Sequence, residues 1–89
     1  MPTVHIPALF RERCGGAAAV QVEGRTLGEL LLELDRRCPG IYGLIVENGA
    51  IRPELAIAIR GEVGTYSLDE PIDPDADVAI VPAIAGGRS

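Results

Sequence analysis

The chain is 89 residues long and carries 13 acidic against 8 basic side chains, a formal charge of −5 and a pI near 4.7. That length allows a single domain, and a surface of that sign makes phosphate backbones and anionic lipids poor partners, so neither nucleic acid nor membrane is expected and a basic protein surface suits it better. Hydrophobic residues reach 47 %, yet Phe10, Tyr42 and Tyr66 are the whole aromatic set, so the core must be aliphatic and bases would find no stacking platform.

In chain order, "TVHIPAL" at 3–9 alternates, with Val4, Ile6 and Ala8 on one face and Thr3, His5 and Pro7 on the other, which predicts a half-buried strand. The glycines of "RERCGG" suit a turn, and "AVQVE" at 19–23 repeats the alternation, so the first 23 residues read as a hairpin. "GRTLGELLLELDRRCPG" at 24–40 predicts the main helix. Thr26 as N-cap and Glu29 three residues later form a capping box. Leu27, Leu30, Leu31 and Leu34 make an apolar stripe at helical spacing, continued by Cys38. Arg36 and Arg37 suit the negative end of the helix dipole, and Pro39-Gly40 ends the element. Gly28, a weak helix former in the first turn, has no explanation in the sequence.

"IYGLIVENGAIRPE" reads as a connection with room for one helical turn. "LAIAIRGE" at 55–62 predicts a third strand, with Leu55, Ile57 and Ile59 inward and Ala56 and Ala58 outward. After a carboxylate-rich, proline-broken stretch, "DVAIVPA" predicts the last strand. Val4, Ile6, Val20, Val22, Ile57, Ile59, Val78 and Ile80 are the strand residues expected to share a core with the helix stripe.

Cys14 and Cys38 match no zinc or redox spacing, and are expected as free thiols in or near the core. "MPTVHIPALF" lacks the basic start and apolar run of a leader, and no stretch approaches the roughly 18 apolar residues of a membrane span. A soluble, cytoplasmic chain is expected.

Strand, strand, helix, strands describes an α+β chain in which one main helix covers one face of a mixed four- to five-stranded sheet. The first and last strands commonly lie side by side at the centre of such a sheet. The β-grasp, or ubiquitin-like, roll is the expected fold, with residues 1–83 as the domain and 84–89 as a flexible tail.

Across nearly its whole length the chain resembles the ubiquitin-like sulfur carriers of the MoaD and ThiS type. The likeness rests on "TVHIPALFRERCGG", on "TLGELLLELDRRCPGI" and on "LDEPIDPDADVAIVPAIAGG". The opening and the length look most like the members that serve cysteine synthases and like other actinobacterial carriers. The resemblance implies a carrier rather than an enzyme. Its terminal glycine, Gly87 here, is adenylated with ATP by a separate activating enzyme. The acyl-adenylate becomes a thiocarboxylate that donates sulfur to an accepting synthase. Nothing is bound to the carrier itself, neither cofactor nor metal; the ATP belongs to the activating enzyme. Ile84, Ala85 and Gly86 form the tail that enters partner sites, where glycine leaves the reacting carbon uncrowded. Two positions depart from the family pattern. Ala76 stands where relatives usually have glycine, and Arg88-Ser89 follow the glycine pair. Gly87 is therefore held in a peptide bond until the dipeptide is removed, by a metalloprotease in some members; an expression-vector junction also leaves such a dipeptide.

Which pathway receives the sulfur, whether cysteine, molybdopterin, thiamine or a specialised metabolite, is not encoded in these residues. The alternative reading is a ubiquitin-like interaction module that binds through its sheet and carries no sulfur. In either case, His5, Pro7, Ala56, Ala58 and Val81, opposite the helix, are the candidate partner-binding face. Asp69, Glu70, Asp73, Asp75 and Asp77 lack the glycine and terminal glutamate of a calcium loop and read as turn formers. His5 is the single histidine, and neither Tyr66 nor Ser67 has a base beside it in the sequence.

Overall fold

Alternation at Val4 and Ile6 commits the opening residues to one covered face. In the computed structural model, which describes residues 1–82, the strand β1 is short, Thr3–His5. Pro7 offers no amide to a ladder, and the chain leaves the sheet there to form a 3-10 helix over Ala8–Cys14 with Pro7 as its N-cap. The expected strand to residue 9 is corrected accordingly. Phe10, carried by this helix, is buried in the core. Gly15 and Gly16 follow at φ 64° and 87°, a left-handed pair that turns the chain into β2, Ala19–Gln21. β1 and β2 pair antiparallel, Val4 opposite Val20, as the hairpin reading expects.

Helix α1 runs Leu27–Arg37 behind Thr26, whose hydroxyl accepts from the Glu29 amide at 3.2 Å. The return bond of the capping box falls one residue earlier than expected: the Glu29 carboxylate accepts from the Arg25 amide at 2.9 Å. Leu27, Leu30, Leu31 and Leu34 are fully buried. Gly28 also finds its explanation. The amides of Leu27 and Gly28 donate to the carbonyls of Glu70 and Leu68 at 2.9 and 2.8 Å. A Cβ on Gly28 would stand 3.1 Å from that Leu68 oxygen. Glycine lets a distant loop satisfy amides that every helix start leaves open.

The connection after α1 is richer than expected. It holds a five-residue helix, α2 (Ile41–Ile45), and a small hairpin of β3 (Val46–Glu47) and β4 (Ala50–Ile51). Asn48 and Gly49 take φ 54° and 77° at its tip, the paired left-handed conformation of a tight hairpin. The third predicted strand is likewise two strands. β5 (Leu55–Ile59) turns at Arg60 and Gly61, φ 55° and 83°, into β6 (Glu62–Gly64). β7 spans Asp77–Pro82.

The main sheet has the order β2-β1-β7-β5-β6. β1 and β7 lie parallel at its centre, Val4 opposite Val78, and β5 pairs antiparallel with β7, Ile57 opposite Ile80. This is the β-grasp arrangement, with α1 across one face. All eight predicted strand residues join the helix stripe in one cluster, Val20 and Ile59 at its half-buried edge. Ala76, buried with an ordinary negative φ, places its methyl in the same core, so the turn does not require the glycine usual there. Cys14 and Cys38 are joined in a disulfide, which corrects the expectation of free thiols: the 3-10 helix ends beside the C-cap of α1, a proximity that no sequence spacing reveals. The division at residue 83 and the tail of 84–89 lie outside the described residues.

Candidate functional site: the open sheet face and the end of strand β7

The face opposite α1 is set by strand alternation. Its rows can be read from the register. Ala19, His5, Ala79, Ala58 and Val63 lie side by side across all five strands, and Ala56 pairs with Val81 towards the end of β7. The predicted face residues His5, Ala56, Ala58 and Val81 are therefore brought together, and Pro7 follows directly on β1. Ala58 differs from expectation in being buried: its small side chain sits between Ala79 and Val63. Two contributors were missed. Ala79 is on this face by simple alternation in β7. Val63, 65 % exposed, was hidden because the predicted strand ran through the Arg60-Gly61 turn; glycine after a strand residue was the available signal.

Charge lies at one end of the face. Asp77, at the start of β7, accepts from His5 Nε2 at 3.1 Å when that nitrogen carries the proton. Arg60 reaches Asp73 and Asp75 at 2.8 and 3.2 Å. These are exposed pairs, each worth about 0–1 kcal/mol. The carboxylate-rich turn is thus partly neutralised and sits at the far end of β7 from Pro82. Tyr66 gives its hydroxyl to the Glu62 carbonyl at 2.9 Å, which is a turn closure.

At the other end, Pro82 is the last described residue. It shares a groove of about 340 Å³ with Leu9, Phe10, Leu44, Glu54 and Leu55. Leu9 is 62 % exposed and was not expected there; the 3-10 helix that presents it was read as strand and turn. Among the described residues, no group of His, Cys, Asp and Glu is placed to hold a metal, and no helix is long and apolar enough to cross a membrane. Ile84, Ala85, Gly86 and Gly87, the predicted working tail, lie outside the described residues, as do Arg88 and Ser89.

A five-stranded sheet packed on helix α1, with β1 and β7 parallel at its centre, defines the ubiquitin-like β-grasp class. Comparison with known proteins narrows this. The ThiS family model matches residues 4–87. The sulfur carrier protein CysO of Mycobacterium tuberculosis is 31 % identical over 90 residues, covering 96 % of this chain and 97 % of that protein. The crystal structure of the Amycolatopsis orientalis BexX/CysO complex contains a chain that superposes with a TM-score of 0.89 at 26 % identity, covering 98 % of this chain and all of that one. Small archaeal modifier protein 1 from Methanosarcina acetivorans superposes with a TM-score of 0.78 at 22 % identity, covering 97 % and 95 %, a likeness of fold. The chain belongs to the ThiS family of ubiquitin-like sulfur carriers, and is a carrier rather than a catalyst.

Proposed function

We propose that this carrier works through Gly87, whose carboxylate is adenylated and then converted to a thiocarboxylate that donates sulfur in a biosynthetic pathway. The observation that carries the reading is the extent of the family match, which ends on Gly87 and leaves Arg88-Ser89 outside it. The chemistry follows from the residue type. A carboxylate attacks the α-phosphorus of ATP, pyrophosphate leaves, and a sulfur nucleophile then displaces AMP from the acyl carbon. A residue without Cβ at that carbon leaves the line of attack open. In the 89-residue chain the Gly87 carbonyl is an amide to Arg88, which offers no carboxylate to adenylate, so removal of the dipeptide by a protease precedes activation.

The partners are an ATP-using activating enzyme and a sulfur-accepting synthase. Their recognition is constrained by reach. The five residues from Ala83 to Gly87 span at most about 18 Å when extended. A partner must therefore dock close to Pro82 to bring its active site to the acyl carbon. The open face fits: Val81, Ala56, Ala79 and Val63 give it small apolar contacts, with the charges set at the far end. In the Amycolatopsis orientalis structure a CysO is in complex with a second protein, BexX, which supports docking of a carrier of this shape onto a protein partner. A cytoplasmic site of action goes with this reading, since the activating step consumes ATP.

The test is pyrophosphate release by an enzyme that activates carriers of this family. A chain ending at Gly87 should support it, and Gly87→Ala in that chain should slow it by at least about tenfold, since a methyl beside the reacting carbon obstructs the adenylate. Equal rates for the two chains would show that the site tolerates a methyl beside the reacting carbon, and no release from the chain ending at Gly87 would remove its carboxylate from the reaction.

A further inference from the structure

The Cys14–Cys38 disulfide is unused by the carrier chemistry, and its two halves differ in access. Cys38 caps α1 and is fully buried, whereas Cys14 ends the 3-10 helix and is partly exposed. The pair lies at a surface groove of about 560 Å³ whose walls include Ala17, Val20 and Arg37, with Cys14 the partner that has exposed surface. The groove is roomy enough for a small thiol. Arg37 lines the same groove as the disulfide. An approaching thiolate meets positive charge there.

The disulfide also holds a segment with little else to hold it. After Phe10, which is anchored in the core, Cys14 is the one hydrophobic side chain of residues 11–18 packed against that core. The remaining ties are hydrogen bonds, those within the 3-10 helix up to Cys14 and the Gly15 amide to Arg11 among them. Arg11 Nε donates to the Ile6 carbonyl at 2.9 Å, the Gly16 amide to Arg11 at 2.7 Å, the Ala17 amide to Cys14 at 3.1 Å, and the Ile6 amide to Ala18 at 2.8 Å. Gly15 and Gly16 sit in the middle of this stretch.

We propose that Cys14 is a thiol-exchange site, at which a small monothiol opens the clamp and releases residues 11–18 while the β-grasp core stays folded. The thiolate attacks Cys14 Sγ, the bond to Cys38 Sγ breaks, and Cys38 leaves as a thiolate that takes a proton from water. Cys14 then carries the mixed disulfide. A second thiol attacks the small-molecule sulfur of that adduct, so two thiols are oxidised to one small disulfide and the protein gains two electrons and two protons. The order of events is fixed by access, because Cys38 presents no surface to a nucleophile. Opening couples one segment of the carrier to the thiol pool around it, and stands independently of the role given to Gly87.

The test uses the full chain, incubated folded with millimolar 2-mercaptoethanol, quenched in acid, denatured, alkylated and mapped by peptide mass. The trapped intermediate should carry mercaptoethanol on Cys14 and the alkyl label on Cys38. Amide hydrogen exchange should then be at least about tenfold faster across residues 11–18, with Leu27–Arg37 still protected. Cys38→Ser, which leaves Cys14 alone, should show the same fast exchange without added thiol. Mercaptoethanol found on Cys38, cleavage only in denaturant, or exchange at 11–18 unchanged after cleavage would each overturn the proposal.

Discussion

Gly24 shows how much a single missing methyl decides. It lies between β2 and α1, where the chain crosses close over the helix, and a Cβ there would stand 2.6 Å from the Leu30 amide nitrogen and 2.7 Å from its Cα. Backbone inside a helix cannot give way as a flexible side chain can. Gly24→Ala should therefore cost about 1–3 kcal/mol, read as a lower urea midpoint with an unchanged slope; an unaltered midpoint would mean the crossing is looser than this. Neither this glycine nor Gly28 explains itself in the sequence, because the reason for each is an atom brought up by another part of the fold. The leucine stripe is the contrary case. Its spacing alone names Leu27, Leu30, Leu31 and Leu34, since a 3.6-residue period has one physical use in a chain with a sheet to cover.

Among the elements, α1 was the most legible and the connections the least. Thr26 and Glu29 mark the start of the helix at the right residue because capping is local chemistry, and Thr26→Ala should cost about 1 kcal/mol. Thermal melting checks this, and a variant as stable as the parent would show that the 3.2 Å bond to the Glu29 amide adds nothing over solvent. Two hairpins were missed. Asn48-Gly49 lies in a stretch read as a connection and Arg60-Gly61 inside the predicted strand of 55–62, although a glycine at φ > 0 is the local signal for both turns. The 3-10 helix over Ala8–Cys14 was missed because strand alternation carries on to Ala8, past Pro7, where the ladder ends. The disulfide was beyond any local signal. It joins cysteines 24 residues apart, a closure worth about 3.5 kcal/mol in the chain-entropy account, and depends on the 3-10 helix, which the sequence does not announce.

At the scale of the molecule, the β-grasp roll followed from element order, and the parallel pairing of β1 with β7 bears it out. The open face was legible to the extent that alternation is: it named His5, Ala56, Ala58 and Val81, left out Ala79 and Val63, and did not foresee that Ala58 would be closed in by its neighbours. Val81→Asp tests whether that face docks partners. Val81 is only half-buried and lies outside the core cluster, so the melting temperature should barely move while affinity for the activating enzyme falls at least about tenfold, the cost of desolvating a carboxylate at an apolar contact. Unchanged affinity would send the docking site elsewhere on the surface.

The central claim is that the Gly87 carboxylate carries the sulfur, and intact mass measures it most directly. A chain ending at Gly87 and the full 89-residue chain are each incubated with an enzyme that activates carriers of this family, ATP and a sulfide source. Exchange of oxygen for sulfur at the terminal carboxylate adds about 16 Da. The shorter chain should gain that mass, and the gain should map to Gly87, while the full chain stays unchanged until Arg88-Ser89 are removed. A full chain that gains sulfur at Ser89 and serves as a donor, or a Gly87-ended chain that never gains it, would contradict the account.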